Sequence, residues 1–253
     1  MPYLTSGRGR PAARGPGHRD PLRLGVPGFG HPLLAPAEWS RLARPRVPLD
    51  WVVVGGSSAG PGCRPDPYWS AVVLPLRAAG VRVLGHLDFA FGARPFGELI
   101  SDAQRYLNWY RVEGFAVGRC PMDAEALPEV RRLAGALRTL LVGARLVLVH
   151  GRYPEPGYAA LADQLVTFTG PWSRYRHCQA PRWAGEHPPG RFCHLVHSVP
   201  GDRLAEALSL ARAQRAGTVY LTDRTDRDGI SPWEAVPGYW DDLVSRIGPG
   251  VSE

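Results

Sequence analysis

The sequence has 253 residues, of which 44% are hydrophobic and 21% are charged, and its net charge is +7. The length fits a one-domain α/β barrel of about 250 residues, and the composition is that of a globular chain, which excludes wholesale disorder. The apolar runs at residues 51–54 and 146–149 are strand-sized and far below the ~18 residues of a membrane span, so an integral membrane protein is excluded.

All 30 basic residues are arginine. The first 23 residues contribute four of the seven net charges, because they hold five arginines and one aspartate. The remaining chain has neither the clustered cations nor the stacking aromatics that nucleic-acid binding needs. We therefore expect no nucleic-acid partner and no membrane partner.

The two ends of the chain differ in composition from the rest. Residues 1–22 are rich in Arg, Gly and Pro and lack the apolar stretch of a secretory signal, so they predict a disordered extension, and residues 247–253 predict a flexible C-terminus. The four cysteines form no CxxC pair and no zinc spacing, which favours reduced thiols. We expect a cytoplasmic protein; an interaction scaffold that uses the Arg-rich extension is one alternative role.

Eight short apolar runs predict eight β-strands, at residues 23–26, 49–55, 82–87, 114–117, 145–150, 164–169, 192–197 and 218–222. The second to fifth begin about 32 residues apart, the size of one strand-plus-helix unit. Residues 96–110 and 124–141 place apolar side chains on one helical face, and Asp202 is a good N-cap for a helix that Gly217 would end. The pattern predicts a single (β/α)8 barrel of the TIM type over residues 23–246. An open doubly wound sheet is the alternative, but no glycine-rich dinucleotide turn follows the first strand.

The active site of such a barrel lies at the C-terminal ends of its strands. The side chains there predict a ligand cleft formed by His31, Asp88, Arg94, His150, Trp172, Tyr175, His197 and Asp223. Asp88 would either contact a ligand or pair with Arg94 in the same loop. A metal site at His150, His194 and His197 is an alternative, but the last two point to opposite faces of one strand. We predict neither a metal nor a cofactor.

Two other groups of side chains have both a functional and a structural interpretation. Cys120 is a candidate nucleophile with His86 or His150 as its base, although a buried thiol is the more common role. A set of aromatic residues suits either sugar stacking or the closing of the barrel core, with the core favoured for Trp240; the set is Trp172, Tyr175, Trp233, Tyr239 and Trp240.

A series of short motifs carries a family resemblance. The motifs are Pro36-Ala37-Glu38-Trp39, Gly60-Pro61-Gly62 with Asp66-Pro67, residues 78–85, residues 106–110, Gly157-Tyr158 with Ala162-Asp163, Val166-Thr167-Phe168, Gly170-Pro171-Trp172 and Tyr175. In this order and spacing, from about Leu24 to Trp240, the sequence resembles the spherulation-specific family 4 (spherulin-4-like) proteins. The resemblance implies a barrel related to glycoside hydrolases that cut α-1,4-linked galactosamine polymers of the galactosaminogalactan type.

The chain departs from this family at its acidic positions. Where the family usually carries an Asp-Glu pair after the fourth strand and a Glu at the end of the sixth, this sequence has Gly118, Arg119 and Thr169. Glycoside hydrolysis commonly uses two carboxyl groups, and a permanent cation opposes the positive charge that develops on the sugar. We therefore expect a catalytically impaired barrel that retains a saccharide-binding cleft. The alternative is an endo-acting hydrolase on an amino-sugar polymer that uses Asp88 and Asp223 instead.

Overall fold

All eight predicted strands form, and they close into one ring. The computed structural model describes residues 21–28, 30–55, 60–227 and 231–247. The strands are β1 (Arg23–Val26), β2 (Leu49–Val54), β3 (Arg82–Asp88), β4 (Gly114–Gly118), β5 (Arg145–Val149), β6 (Gln164–Pro171), β7 (Phe192–His197) and β8 (Thr218–Leu221). Each strand pairs in parallel with the next one in the chain, and β8 pairs with β1. The predicted (β/α)8 barrel is confirmed.

Helices cover most of the outer surface of this ring. They are α1 (Pro36–Leu42), α2 (Pro67–Ala78), α3 (Phe96–Tyr110), α4 (Leu127–Leu140), α5 (Trp172–Tyr175), α6 (Leu204–Ala213) and α7 (Trp240–Ile247). The crossover from β5 to β6 has the short 3-10 helix Pro156–Ala160 in place of an α-helix, and the crossover from β6 to β7 has α5 followed by two 3-10 turns. The repeat of strand and helix is therefore shortened on this side of the barrel.

Both predicted ends of helix α6 are wrong. Asp202 lies in the 3-10 turn Gly201–Arg203 before the helix, and no side chain caps the helix N-terminus. The helix ends at Ala213, four residues before Gly217. A Cβ atom on Gly217 would lie 2.6 Å from the backbone of Pro189 and Gly190, so glycine is required there by close packing and not by a helix stop.

The N-terminal half of the barrel interior is filled by a buried polar layer. Trp51 donates from its indole nitrogen to the Gln164 Oε1 atom at 2.7 Å. The Gln164 amide nitrogen donates to the Thr218 hydroxyl and to the Gly190 carbonyl, both at 2.9 Å. The three side chains are no more than 1% exposed, and satisfied buried hydrogen bonds of this kind fix a unique packing. The ring is a packed core and not a pore, so a ligand reaches only its ends.

The terminal segments predicted from the sequence fall almost wholly outside the described residues. Leu22 and Ile247, which the prediction placed in those segments, are buried and belong to the hydrophobic core. The folded barrel therefore extends one residue beyond each predicted boundary. Within the described ranges, no helix has the length and apolarity that a membrane crossing needs.

Candidate ligand site at the barrel mouth

Asp88 and Arg119 form an ion pair at the C-terminal ends of β3 and β4. The register of these strands places Asp88 beside Gly118, so the next residue, Arg119, reaches back to the carboxylate. Its Nε atom donates to Asp88 Oδ1 at 2.7 Å, and its Nη2 atom donates to Oδ2. The Asp88 side chain is 6% exposed whereas that of Arg119 is 53% exposed. The pair is a bidentate Arg–carboxylate contact with its anion inside and its cation toward solvent.

This pairing sets the protonation state of Asp88. Hydrogen bonding to Arg119 holds the pKa of the Asp88 carboxyl below its usual value, against the opposing effect of burial. The Ala90 backbone N–H donates a further hydrogen bond to Oδ1 at 3.1 Å. Asp88 is therefore a carboxylate at neutral pH and holds no proton to donate to a leaving group.

Gly118 faces a histidine ring across the β3–β4 pair. A Cβ atom on Gly118 would lie 2.5 Å from His86 Nε2 and 3.4 Å from its Cε1 atom. Real Cβ atoms do not approach other atoms this closely, so the imidazole occupies the volume that any longer side chain at position 118 would need. A carboxylate side chain at this position would therefore require the imidazole to move.

A bulge in β6 determines where Thr169 points. The register of β6 against β7 shifts between Val166 and Phe168, and bulges of this kind re-aim the following side chains. Phe168 packs on Tyr175 outside the strand ring, so Thr169 faces the barrel axis. Its hydroxyl is buried and has no hydrogen-bond partner within the described chain. Thr169 is a neutral polar group at the mouth.

The mouth contains a cavity of about 330 Å³ on the side of β1, β2 and β8. Aromatic walls come from His31, Trp69 and Trp233, polar groups come from Ser231 and Glu234, and the remaining lining is Pro27, Gly28, Gly30, Gly55 and Gly60. Volume and lining suit a small ligand, since such sites are apolar with a few polar groups and begin near 300 Å³. Glu234 is the only acid among the described residues that line it.

His31 is the one predicted cleft residue that lines this cavity, and its ring is fixed. Nε2 lies 2.8 Å from Asp66 Oδ2, and Nδ1 accepts the Leu33 backbone N–H at 3.2 Å. The Nε2 proton is therefore donated to Asp66, which also caps helix α2 by accepting the Tyr68 N–H at 2.8 Å. With both nitrogens engaged, His31 serves as a wall of the cavity rather than as a base.

Three predicted cleft residues belong to the core. Tyr175 is fully buried, and its hydroxyl contacts His194 Nδ1 at 2.7 Å. Trp172 is 7% exposed beside it. His150 is 8% exposed, and its Nδ1 atom contacts the Pro121 carbonyl at 2.8 Å. Placing these side chains in the cleft was wrong, because they turn into the packing between the strands and the outer layer.

The remaining predicted residues lie apart from one another around the mouth. Arg94 forms ion pairs with Asp102 and Glu98, and it reaches only the backbone oxygen of Asp88, at 3.5 Å. Of the two alternatives for Asp88, contact with a ligand or a side-chain pair with Arg94, the second therefore does not form. Asp223 is exposed and accepts the Gly238 N–H at 2.9 Å. Asp223 follows β8 while Asp88 ends β3, with β1 and β2 between those strands.

The histidines considered for a metal have separate partners. His197 contacts Ser198 Oγ through Nδ1 at 3.0 Å and packs on Trp233, whereas His194 and His150 are held as described above. Burial lowers the pKa of His150 to about 4 and that of His194 to about 3. No group of three or more metal-ligating side chains gathers in the described part of the chain.

Cys120 has the character of a core thiol. It is fully buried, and burial raises the pKa of the thiol. The thiolate is the nucleophilic form, so this environment does not support the nucleophile interpretation.

Sequence reasoning missed Trp69, Ser231 and Glu234. Trp69 is the third residue of α2, which begins after the Asp66 cap. An aromatic residue at the beginning of a helix that follows a strand is only a weak indication that the side chain lies at the barrel mouth. Ser231 and Glu234 belong to the segment between β8 and α7, where no periodic pattern marks the ligand side. Trp233 was assigned to either stacking or core, and it lines the cavity.

The fold and the site together define a (β/α)8 barrel with an aromatic cavity and an ion-paired carboxylate at its mouth. Comparison with known proteins is consistent with that class. The chain belongs to the spherulation-specific family 4, whose family model matches residues 23–247. The family expected from the sequence is confirmed.

Individual relatives are distant. Spherulin-4 from Physarum polycephalum is 22% identical over 216 residues, which cover 81% of this chain and 64% of that protein, so the chain spans less than two thirds of its length. The crystal structure of Sph3 from Aspergillus clavatus in complex with GalNAc has a TM-score of 0.77 at 21% identity and covers 90% of this chain and 98% of that one. A chitinase from Chromobacterium violaceum has a TM-score of 0.55 at 12% identity, with coverages of 89% and 98%. At these identities the structural likeness is one of fold.

Proposed function

We propose that this protein is a saccharide-binding barrel that does not hydrolyse its ligand. The proposal rests above all on the Asp88–Arg119 ion pair, because it removes the acidic chemistry from the β3–β4 side of the mouth. The aromatic cavity on the side of β1, β2 and β8 is then available for binding alone. The Sph3 complex with GalNAc supports a saccharide, and an amino sugar in particular, as the ligand of this barrel type.

The acidic side chains at the mouth do not meet the requirements of glycoside hydrolysis. The reaction commonly needs one carboxyl group that holds a proton and a second one about 5–10 Å away. Asp88 is held ionised by Arg119, and Asp223 is exposed after β8, with β1 and β2 between that strand and β3. Glu234 is the single acid among the described residues that line its cavity. A permanent guanidinium at position 119 further opposes an oxocarbenium-like transition state.

The cavity offers what sugar binding requires. The indole rings of Trp69 and Trp233 present flat apolar surfaces to the CH-rich face of a pyranose, while Ser231 and Glu234 offer hydrogen-bond groups to its hydroxyls. The ring of His31 packs edge-on against Trp69, with 5.4 Å between centroids, and Trp39 supports Trp69 from behind at the same distance. The stacking surface is therefore rigid before a ligand arrives, which lowers the entropic cost of binding.

Calorimetric titration with N-acetylgalactosamine oligomers, combined with an assay for released reducing ends, tests the proposal. We expect saturable binding and no release. Trp233→Ala should weaken binding roughly tenfold, which is ~1.4 kcal/mol. Trp183→Ala is the matched control, since Trp183 packs on Tyr153 and Phe192 away from the cavity and its loss should leave the affinity unchanged. Release of reducing ends would overturn the non-hydrolytic assignment, and the absence of any binding would overturn the saccharide ligand.

A further inference from the structure

Two adjacent loops at the mouth contain backbone in the left-handed region. Ala90, Phe91 and Gly92 have φ values of 50°, 56° and 93°, and Arg119 has a φ of 46°. Residues other than glycine adopt this conformation at an energetic cost. They are found where surrounding contacts stabilise it, often at ligand sites. The β3–α3 loop and the segment after β4 are therefore both held in an unusual shape at the same place.

Asp88 and the β4 backbone hold this shape. The Asp88 carboxylate accepts hydrogen bonds from both the Ala90 N–H and the Arg119 guanidinium. The Phe91 N–H donates to the Arg119 carbonyl at 2.7 Å, and the Phe89 N–H donates to the Gly118 carbonyl at 2.9 Å. The two loops are thereby joined to each other by side-chain and backbone hydrogen bonds.

These contacts present two side chains to solvent. Phe91 is 65% exposed, although a phenyl ring normally packs inward. The Arg119 guanidinium lies 5.9 Å from the centroid of its ring. Arg119 uses its Nε and Nη2 atoms for Asp88, which leaves the Nη1 edge without a protein partner among the described residues. The pair offers an apolar ring face next to an outward hydrogen-bonding cation.

We propose that Phe91 and Arg119 form a subsite for an acidic sugar residue, with the pyranose on the Phe91 ring and its carboxylate on the Arg119 Nη1 edge. This inference rests on the proposed saccharide-binding function and specifies the chemical class of the ligand. Guanidinium favours carboxylates through charge-assisted hydrogen bonds. The same cation repels a sugar that carries an ammonium group, so a deacetylated galactosamine chain is disfavoured at this position.

The subsite is linked to the wall of the aromatic cavity by contacts within the protein. Arg94 donates to the Asp88 backbone oxygen and forms an ion pair with Asp102. The Asp102 carboxylate in turn lies against Gly60, where an added Cβ would be 2.5 Å from Oδ2, and Gly60 lines the cavity. One network of contacts thus connects the cavity wall with the Phe91–Arg119 subsite.

The test compares three trimers with the full chain at low salt: galacturonic acid, N-acetylgalactosamine and galactosamine. We expect the acidic trimer to bind at least tenfold more tightly than the cationic one. Arg119→Gln should weaken binding of the acidic trimer about tenfold and binding of the neutral trimer much less, and Phe91→Ala should weaken binding of the acidic trimer. Arg132→Gln is the matched control, because Arg132 lies over the Phe96 ring on the outer helices, at 4.4 Å.

The outcomes separate this inference from the proposed function. If the neutral trimer binds in a Trp233-dependent manner while Arg119→Gln leaves the acidic trimer unchanged, the subsite is wrong and the saccharide-binding function stands. A preference for the cationic trimer also overturns the subsite. If none of the three trimers binds, both proposals fail. Circular dichroism and the thermal midpoint of each variant establish that it is folded before its affinity is interpreted.

Discussion

Gly118→Ala is expected to destabilise the protein through a clash with His86. The φ of Gly118 is outside the left-handed range, so alanine is compatible with the backbone and the effect is steric. The new Cβ would lie 2.5 Å from His86 Nε2, and the imidazole or the strand would have to move. The loss of stability therefore measures the energetic cost of moving His86. This residue lies beside the position where relatives are expected to carry an acid.

The size of the effect follows from two opposing contributions. Overpacking by one methyl group in a tight site costs about 1–3 kcal/mol. Replacing a strand glycine by alanine gains roughly 0.5–1 kcal/mol, because the unfolded chain loses less entropy on folding. We expect a net loss of about 1–2 kcal/mol in the parent protein. In a His86→Ala background the clash is absent and the same substitution should stabilise by about 0.5–1 kcal/mol.

Urea unfolding of the four proteins in this double-mutant cycle gives the coupling free energy between positions 86 and 118, expected at about 1–3 kcal/mol. Gly135→Ala in α4 is the control, because no atom lies within 4 Å of the added Cβ; it should stabilise both backgrounds equally, by about 1 kcal/mol. A coupling near zero would refute the reasoning. The same clash predicts that restoring an Asp-Glu pair at 118 and 119 requires a smaller residue at position 86.

Two further predictions concern buried ionisable groups. Burial lowers the pKa of His150 to about 4 and that of His194 to about 3, so below pH 6.5 the unfolded chain binds more protons than the folded protein. The free energy of unfolding should therefore fall from about pH 6.5 toward pH 4, by at most ~1.4 kcal/mol per pH unit for each histidine. In urea unfolding, the free energy of unfolding of His194→Phe should depend less steeply on pH in this window than that of the parent protein. His177→Phe, an exposed control, should have the same pH dependence as the parent. Equal pH dependence for His194→Phe and the parent would contradict the assignment. For the cysteines, a disulfide-exchange reagent should modify exposed Cys63 first and should reach buried Cys120 and Cys193 only after unfolding. Rapid modification of Cys120 in a folded Cys63→Ser variant would show that its thiol is accessible.

The strands and the barrel were predictable from the sequence because each strand is buried on both faces. In β2 and β7 every residue is buried, and such strands read as short, mostly apolar runs rather than as alternating patterns. The family resemblance added the expected fold, and the ring closes as predicted.

The site was predictable only in part, because position along a strand does not determine the contacts of a side chain. For Asp88 the alternatives were contact with a ligand or a pair with Arg94 in the same loop, but the β3–β4 register places Arg119 beside it. Tyr175 follows the strand end yet turns outward to His194, next to a bulge that no residue pattern indicated. Trp69 and Trp233 meet in one cavity from segments more than 160 residues apart, which requires the closed ring.

Strand β1 closes the ring between β2 and β8. β1 has four residues, and it pairs with β2 through Leu24 and Leu49 and with β8 through Leu24 and Val219. An engineered chain that began after Val26 would leave β2 and β8 as free edges, each with a row of unsatisfied backbone N–H and C=O groups. Free edges of this kind recruit strands from other molecules. Four residues thus separate a ring without edges from an open sheet that joins with its own copies.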